Sequence, residues 1–153
     1  MTRIDDRLAD LGLTLPEPVA PVANYVPFVV SGNLVFISGQ VSIGADGLIA
    51  GKLGGDVNLE TGIAAAKACG VNLIAQLRNA CCGDLDRVKR VVKLGGFVNS
   101  TPDFTDQPKV VNGASDLMVA VFGDAGRHAR AAVSAPSLPL NAAVEIDGVF
   151  EIA

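Results

Sequence analysis

Apolar and polar positions recur with recognisable periods along the first half of the chain. Residues 4–12 place three aliphatic side chains at helical spacing, which predicts a short amphipathic helix. The runs YVPFVV and LVFISG flank Ser-Gly-Asn at 31–33, and such runs around a Gly-Asn turn predict a β-hairpin. From about Leu59 to Cys82 the apolar positions follow a helical period. The pattern therefore predicts a helix, a hairpin and a longer helix, in that order.

In the second half of the chain, segments with the apolar period of a strand alternate with segments that have the apolar period of a helix. Residues 88–99 predict a strand, and residues 109–122 predict a second long helix that two glycines end. The segments 129–136 and 142–152 predict two final strands joined by SLPLN. The order β-β-α-β-α-β-β is typical of an α+β domain with its helices packed on one face of a sheet.

Three segments are expected to be irregular or peripheral. The glycine-rich stretch 42–58 has no phosphate-binding spacing and predicts a loop. Lysine and arginine alternate with valine at 87–93, which favours an edge or half-exposed strand. A proline-rich segment follows the first helix. We therefore divide the chain into an N-terminal helical extension with its linker, 1–20, and one domain, 21–153.

Composition narrows the class of protein. The chain has 153 residues, a net charge of −4 and half its residues hydrophobic, with few aromatics. These values predict one globular domain whose aliphatic excess suits an oligomer, and they argue against nucleic acid as a partner. Neither a signal peptide nor a membrane span is expected, so a cytoplasmic protein is predicted. Three cysteines and the single His128 do not suggest a metal site; the cysteines suit buried helix positions.

Two charged residues interrupt the apolar runs near the C-terminus. If the strands 129–136 and 142–152 pair as a hairpin around SLPLN, Arg130 and Glu145 lie on the same face and nearly opposite each other. A cross-strand ion pair worth about 0.2–1 kcal/mol is one interpretation. The other is a site in which the arginine clamps a carboxylate and the glutamate holds a water.

These residues also fit a known pattern. The segments NYVPFVVSGNLVFISGQ at 24–40, VN at 111–112, AR at 129–130, LP at 138–139 and EI at 145–146 occur in order and at matching spacing. The chain thereby resembles the RidA (YjgF) family of reactive-intermediate imine deaminases, from about residue 25 to its end. The positions that carry the resemblance are Tyr25, Gly39, Asn112, Arg130 and Glu145.

The resemblance implies a chorismate-mutase-like fold with a mixed sheet, assembled as a homotrimer around a central barrel with active sites between subunits. It implies hydrolysis of 2-imino or 2-enamino acids to 2-keto acids and ammonia, without metal or organic cofactor. Arg130 would bind the substrate carboxylate with help from the Gly39 N–H, and Tyr25 would line the pocket. Glu145 would orient the attacking water, and the Ala132 carbonyl would accept from the imine nitrogen.

The chain departs from the family pattern at several positions. Ala132 replaces a frequent cysteine, Ser115 replaces a common tyrosine, and the N-terminal helix and the 42–58 segment are additional. These departures leave a second hypothesis open, a trimer that binds a small carboxylate without turning it over. A third, endoribonuclease activity, is disfavoured by the acidic chain and the lack of a spare histidine for acid–base chemistry.

Overall fold

A computed structural model of the protein describes residues 2–18 and 23–153. The helices are α1 (Arg3–Asp10), α2 (Leu59–Ala80) and α3 (Gln107–Phe122), and the strands are β1 (Phe28–Ser31), β2 (Leu34–Val41), β3 (Ile43–Gly44), β4 (Gly47–Leu48), β5 (Val88–Asn99), β6 (Ala129–Ala135) and β7 (Val144–Ile152). The α+β prediction is confirmed. None of the helices in the described ranges is long and apolar enough to cross a membrane.

Five strands form one mixed sheet in the order β1-β2-β7-β5-β6. The predicted hairpin is present, with Ser31 paired to Leu34 across a turn in which Gly32 adopts a φ of 62°. This left-handed conformation suits a residue without Cβ. The 42–58 segment is not wholly a loop as predicted, because β3 and β4 pair within it as a small hairpin.

The predicted pairing of the last two strands is wrong. β6 pairs in parallel with β5, and β7 lies antiparallel between β2 and β5. The chain crosses from β5 through α3 to β6, and such a crossover delivers a parallel neighbour. β6 lies beside β5 only from Lys93 onward, so the residues before it stay at the edge of the sheet and half-exposed as predicted, whereas the rest of β5 lies between β6 and β7.

Helices α2 and α3 cover one face of the sheet, called here the helix face. They approach closely because small residues meet between them: a Cβ on Gly70 would lie 2.8 Å from the Leu117 side chain. Cys69 is buried between α2 and β7, where its thiol donates to the Val144 carbonyl at 3.4 Å. Cys81 is also buried as predicted, whereas Cys82 is exposed.

The opposite side of the sheet, called here the open face, is not covered by any described element. It presents large apolar side chains at high exposure: Val29 at 52%, Phe36 at 45% and Val133 at 48%. Exposed apolar surface of this kind marks an interaction site more often than a solvated surface. The composition pointed to an excess of aliphatic side chains, and this face is where part of that excess lies.

Helix α1 docks on the domain through both its apolar side and its N-terminus. Ile4 and Leu8 are each 4% exposed and belong to the hydrophobic core. The Asp86 carboxylate, distant in sequence, accepts from the backbone N–H of Arg3 and of Ile4, both at 2.9 Å. These bonds satisfy N–H groups that a helix start otherwise leaves free. Part of the predicted linker, residues 19–22, lies outside the described residues, so the boundary at residue 20 stays a prediction.

Replacing Asp86 by alanine is expected to lower the melting temperature by a few degrees at neutral pH. The two backbone donors lower the pKa of the Asp86 carboxyl, so the charged form is the one the fold stabilises. The contribution is therefore present above the ordinary aspartate pKa and is lost as the pH falls through the lowered value. Thermal unfolding should show the difference in melting temperature between the variant and the wild type at pH 7, and this difference should disappear in strong acid. The exposed Asp103→Ala serves as control, and an equal shift in both variants would contradict the prediction.

Candidate active site

The Arg130 side chain extends from β6 to α3 on the helix face. Its Nη1 donates to Asn112 Oδ1 at 2.9 Å and to Ser115 Oγ at 3.1 Å, and its Nη2 donates to the Pro108 carbonyl at 3.1 Å. All three acceptors are neutral. The ion pairs among the described residues join Lys109 with Asp106 and Arg127 with Asp124, and neither includes Arg130. The guanidinium is thus held in place while its charge stays unpaired.

A histidine extends this group, called here the arginine cluster (Asn112, Ser115, His128 and Arg130). His128 Nδ1 lies 2.6 Å from the Gly126 carbonyl and its Nε2 lies 2.9 Å from Ser115 Oγ. A carbonyl can only accept, so Nδ1 carries a proton, and in the neutral ring Nε2 then accepts from the Ser115 hydroxyl. With the ring neutral, Ser115 accepts from the Arg130 guanidinium and donates to His128.

The Glu145 carboxylate lies at the other predicted position, on β7. A β-bulge in β2 shifts the register between Ile37 and Gln40 and brings Gly39 against it. A Cβ on Gly39 would lie 3.0 Å from Glu145 Cδ and 3.1 Å from its Oε2. A side chain at position 39 would therefore require the Glu145 carboxylate to move by a few tenths of an ångström.

Glu145 is half-exposed and shares its face with Asp147, two residues further along β7. Partial burial raises the pKa of the Glu145 carboxyl, and repulsion from the Asp147 carboxylate raises it further. Both causes favour the protonated form and bring Glu145 closer to the range useful for proton transfer near neutral pH. We call Gly39, Glu145 and Asp147 the glutamate cluster.

The two remaining predicted residues each fall beside one cluster. Tyr25 precedes β1 and is 58% exposed. Its neighbour Val26 accepts at its carbonyl from the Ser38 hydroxyl at 2.8 Å, which ties this segment to the residue before Gly39. Ala132 lies two residues after Arg130 on β6 and shares its face.

The prediction that Arg130 and Glu145 share a face is wrong. Glu145 is opposite Phe97 on β5, and Phe97 is opposite Val133 on β6. Val133 and Arg130 are three positions apart, so Arg130 projects to the helix face and Glu145 to the open face. Strands about 4.8 Å apart that rise about 3.3 Å per residue place the two Cα atoms roughly 14 Å apart. One chain therefore holds two separate clusters and cannot form the ion pair.

Sequence reasoning missed three contributors to these clusters. His128 was considered as a metal ligand, Ser115 as a departure from a pattern, and Asp147 was given no role. The side-chain alternation of a strand and the period of a helix provide a signal for each of these three residues. His128 lies two positions before Arg130, at the residue that precedes β6, Ser115 lies one helical turn after Asn112, and Asp147 lies two positions after Glu145 on β7. Each therefore projects on the same side as the residue it assists.

The chain matches known proteins over nearly its whole length. A family model described as "YjgF/chorismate_mutase-like, putative endoribonuclease" matches residues 5–151. Protein TCP17 of Trypanosoma cruzi is 49% identical over 152 residues, which cover 98% of this chain and 94% of that protein. The crystal structure of Atu1372 from Agrobacterium tumefaciens has a TM-score of 0.92 at 49% identity, covering 98% of this chain and 92% of that one.

The resemblance to RidA also has a structural counterpart. RidA from an Antarctic Psychrobacter species has a TM-score of 0.60 at 26% identity, with 89% of this chain and 94% of that chain covered. The matched region includes every residue of both clusters. We conclude that this chain belongs to the YjgF/chorismate-mutase-like family, with RidA among its structural neighbours.

Proposed function

We propose that the protein hydrolyses 2-imino acids, or their 2-enamino tautomers, to 2-keto acids and ammonia. The proposal rests on the Arg130 guanidinium. Three neutral acceptors orient this group, and no carboxylate among the described residues neutralises its charge. A guanidinium in this state suits bidentate binding of a carboxylate. Family membership supports the same assignment.

The reaction needs a bound carboxylate, a placed water and one proton acceptor. The water oxygen adds to the imine carbon, the C=N π electrons move to nitrogen, and Glu145 accepts the proton that the water loses. Glu145 returns that proton to the nitrogen and then carries the remaining hydroxyl proton to it as well, so the C–N bond breaks, ammonia leaves and the C–O bond becomes C=O. The Gly39 N–H would assist the carboxylate, Tyr25 would line the pocket, and the Ala132 carbonyl would accept from the imine nitrogen. Fixing the reactants in this geometry accounts for most of the acceleration.

One complete site requires two copies of the chain. Arg130 and Glu145 project from opposite faces of their own sheet, so a single substrate reaches both only if they come from different subunits. The exposed apolar side chains of the open face favour association through that face. We infer a homotrimer in which the open faces surround a central barrel and each site lies between neighbours.

The proposal is tested by generating imines in solution with an amino-acid oxidase and following their decay with and without this protein. We expect faster release of the keto acid, and acceleration with none of a panel of amino acids would contradict the proposal. Size-exclusion chromatography with light scattering tests the trimer separately. A monomer would contradict the shared site even if a carboxylate bound.

A second candidate function is carboxylate binding without turnover. Ala132 supports it, since alanine adds no polar side chain beside the arginine cluster. Thermal stabilisation by a 2-keto acid combined with no imine hydrolysis would favour this function over the first. The family description also contains the term endoribonuclease. The net charge of −4 disfavours that activity, because it repels a phosphate backbone.

Removing the Asp147 charge is expected to move the acidic limb of the pH–rate profile to lower pH. The Asp147 carboxylate helps to raise the pKa of Glu145, and Glu145 must be deprotonated to accept the proton from water. Asp147→Asn should therefore keep the base active in more acidic solution. The exposed Asp46→Asn, which makes the same change of net charge, should leave the limb in place. A limb that does not move in Asp147→Asn would contradict the assignment of Glu145 as the base.

A further inference from the structure

The hydrogen bonds of the arginine cluster leave a particular pair of Arg130 donors free. A guanidinium has five N–H groups. Among the described residues, Nη1 uses both of its hydrogens on Asn112 and Ser115, and Nη2 uses one on the Pro108 carbonyl. All three acceptors belong to α3. The two donors that remain are the Nε–H and one N–H of Nη2, which are neighbours on the guanidinium and can bind one carboxylate together.

Ser115 can hold Nη1 only while its hydroxyl proton points elsewhere. A serine hydroxyl rotates, and it carries one proton and two acceptor sites. His128 Nε2 lies 2.9 Å from Ser115 Oγ and takes this proton when the ring is neutral. The oxygen is then free to accept from Arg130 Nη1 at 3.1 Å. The imidazole therefore determines which side of the hydroxyl the serine presents to the arginine.

The two residues before His128 fix its ring relative to α3. Nδ1 lies 2.6 Å from the Gly126 carbonyl, and Gly126 is buried against the backbone of α3, where a Cβ would clash with the Met118 carbonyl. The next carbonyl, that of Arg127, accepts from the Arg90 guanidinium of β5 at 2.7 Å. The imidazole is thus held in place before any substrate arrives.

We propose that His128 is a positioning residue for imine hydrolysis. It acts through Ser115 rather than on the substrate, and it holds the Arg130 guanidinium with the free Nε–H and Nη2–H directed at the substrate carboxylate. The inference rests on the proposed function, because binding that carboxylate is what the two donors do. The carboxylate is bound in the ground state and in the transition state alike, so loss of this positioning should raise KM and leave kcat nearly unchanged.

Variants at two positions test this role by steady-state kinetics with an oxidase-generated imine. His128→Leu removes the acceptor for the Ser115 proton and should raise KM about three- to tenfold, the ratio for one hydrogen bond. His128→Gln places an amide oxygen near the position of Nε2 and should keep KM near the wild-type value. Ser115→Ala should raise KM as His128→Leu does, and the double variant should show no further loss. The exposed Ser137→Ala, which also removes a hydroxyl, should leave KM unchanged.

The dissociation constant of 2-oxobutanoate, measured by calorimetry, follows the same variants without requiring turnover. We expect the same ratios in Kd as in KM. A wild type that binds the keto acid in this pattern but hydrolyses no imine would contradict the proposed function and support the role of His128. Hydrolysis by the wild type with KM and Kd unchanged in His128→Leu, or raised equally in His128→Gln, would overturn that role alone. Absence of both hydrolysis and binding would overturn both.

The tautomer of the ring is a readout that does not depend on kinetics. His128 is the only histidine of the chain, so the imidazole signals of untagged, ¹⁵N-labelled protein belong to it. Long-range ¹H–¹⁵N spectra in mildly alkaline solution should show the proton on Nδ1 and none on Nε2, as the two contacts require. Ser115→Ala should shift the Nε2 signal, whereas Ser137→Ala should not. A proton on Nε2 in the wild type would overturn the proposal, since Nε2 could then not accept from Ser115.

Discussion

Replacing Arg130 by alanine is expected to lower kcat/KM for imine hydrolysis roughly 100- to 10,000-fold. A hydrogen bond to a charged group contributes about 1.5–3 kcal/mol, and a bidentate clamp makes two of them. Each 1.4 kcal/mol corresponds to about a tenfold change. The carboxylate is bound in the ground state and in the transition state alike, so much of the loss should appear in KM. Steady-state rates with an oxidase-generated imine measure the effect.

The matched control is Arg127→Ala, three residues earlier in the chain. Arg127 is exposed and pairs with Asp124 at 3.5 Å on the surface, so its loss should leave the rate unchanged. Arg130→Lys should fall between the wild type and the alanine variant, because an ammonium keeps the charge and loses the planar fork. The fold should tolerate the change at Arg130, since no buried carboxylate loses its partner. Equal rates for Arg130→Ala and the wild type would contradict the assignment.

Mixing two inactive variants is expected to restore activity. Arg130→Ala keeps an intact Glu145, and Glu145→Gln keeps an intact Arg130. If each site takes the arginine from one subunit and the glutamate from its neighbour, random reassembly of equal amounts rebuilds both groups in about one quarter of the sites. The recovered rate should approach that share of the wild-type rate. The measurement requires dissociation and reassembly of the mixed subunits before the assay.

Two controls make this experiment decisive. Each variant taken alone through the same dissociation and reassembly should stay inactive, and wild-type protein so treated should recover its rate. If both groups of a site came from one chain, every mixed site would lack one of them and no rate would return. That outcome would contradict the shared site, whereas the loss in Arg130→Ala would still support the role of the arginine.

The helices and the first hairpin could be predicted because their determinants are local. α2 begins after Asn58, whose side chain accepts from the Thr61 N–H at 2.8 Å, and its apolar period is readable in sequence. The first hairpin turns at Gly32 with the left-handed backbone that its Gly-Asn pair suggests. Capping, periodicity and turn chemistry each depend on residues a few positions apart.

Strand pairing could not be predicted in the same way. The pairing of β6 with β5 rather than β7 depends on the path of α3 across the sheet. The connection between β6 and β7 looks like a hairpin loop in sequence. In the structure it is part of a polar arrangement at the end of the sheet, where the buried Asn99 amide donates to the carbonyls of Gly51 at 3.0 Å and Ala142 at 3.1 Å. No local pattern brings these three segments together.

The sequence by itself determined the residue types of the candidate site, their spacing and the family to which they point. It also fixed which side of each strand Arg130 and Glu145 occupy relative to their own neighbours, because side-chain alternation is a local property. Only the tertiary structure decided the relation between the two. β5 lies between their strands, with Leu94 opposite Arg130 and Phe97 opposite Glu145; because these two β5 residues are three positions apart, the two charges project from opposite faces. Pairing between distant strands is set by the packing of the whole sheet and its helices, and for that reason the division of the site into two clusters appears only in the folded chain.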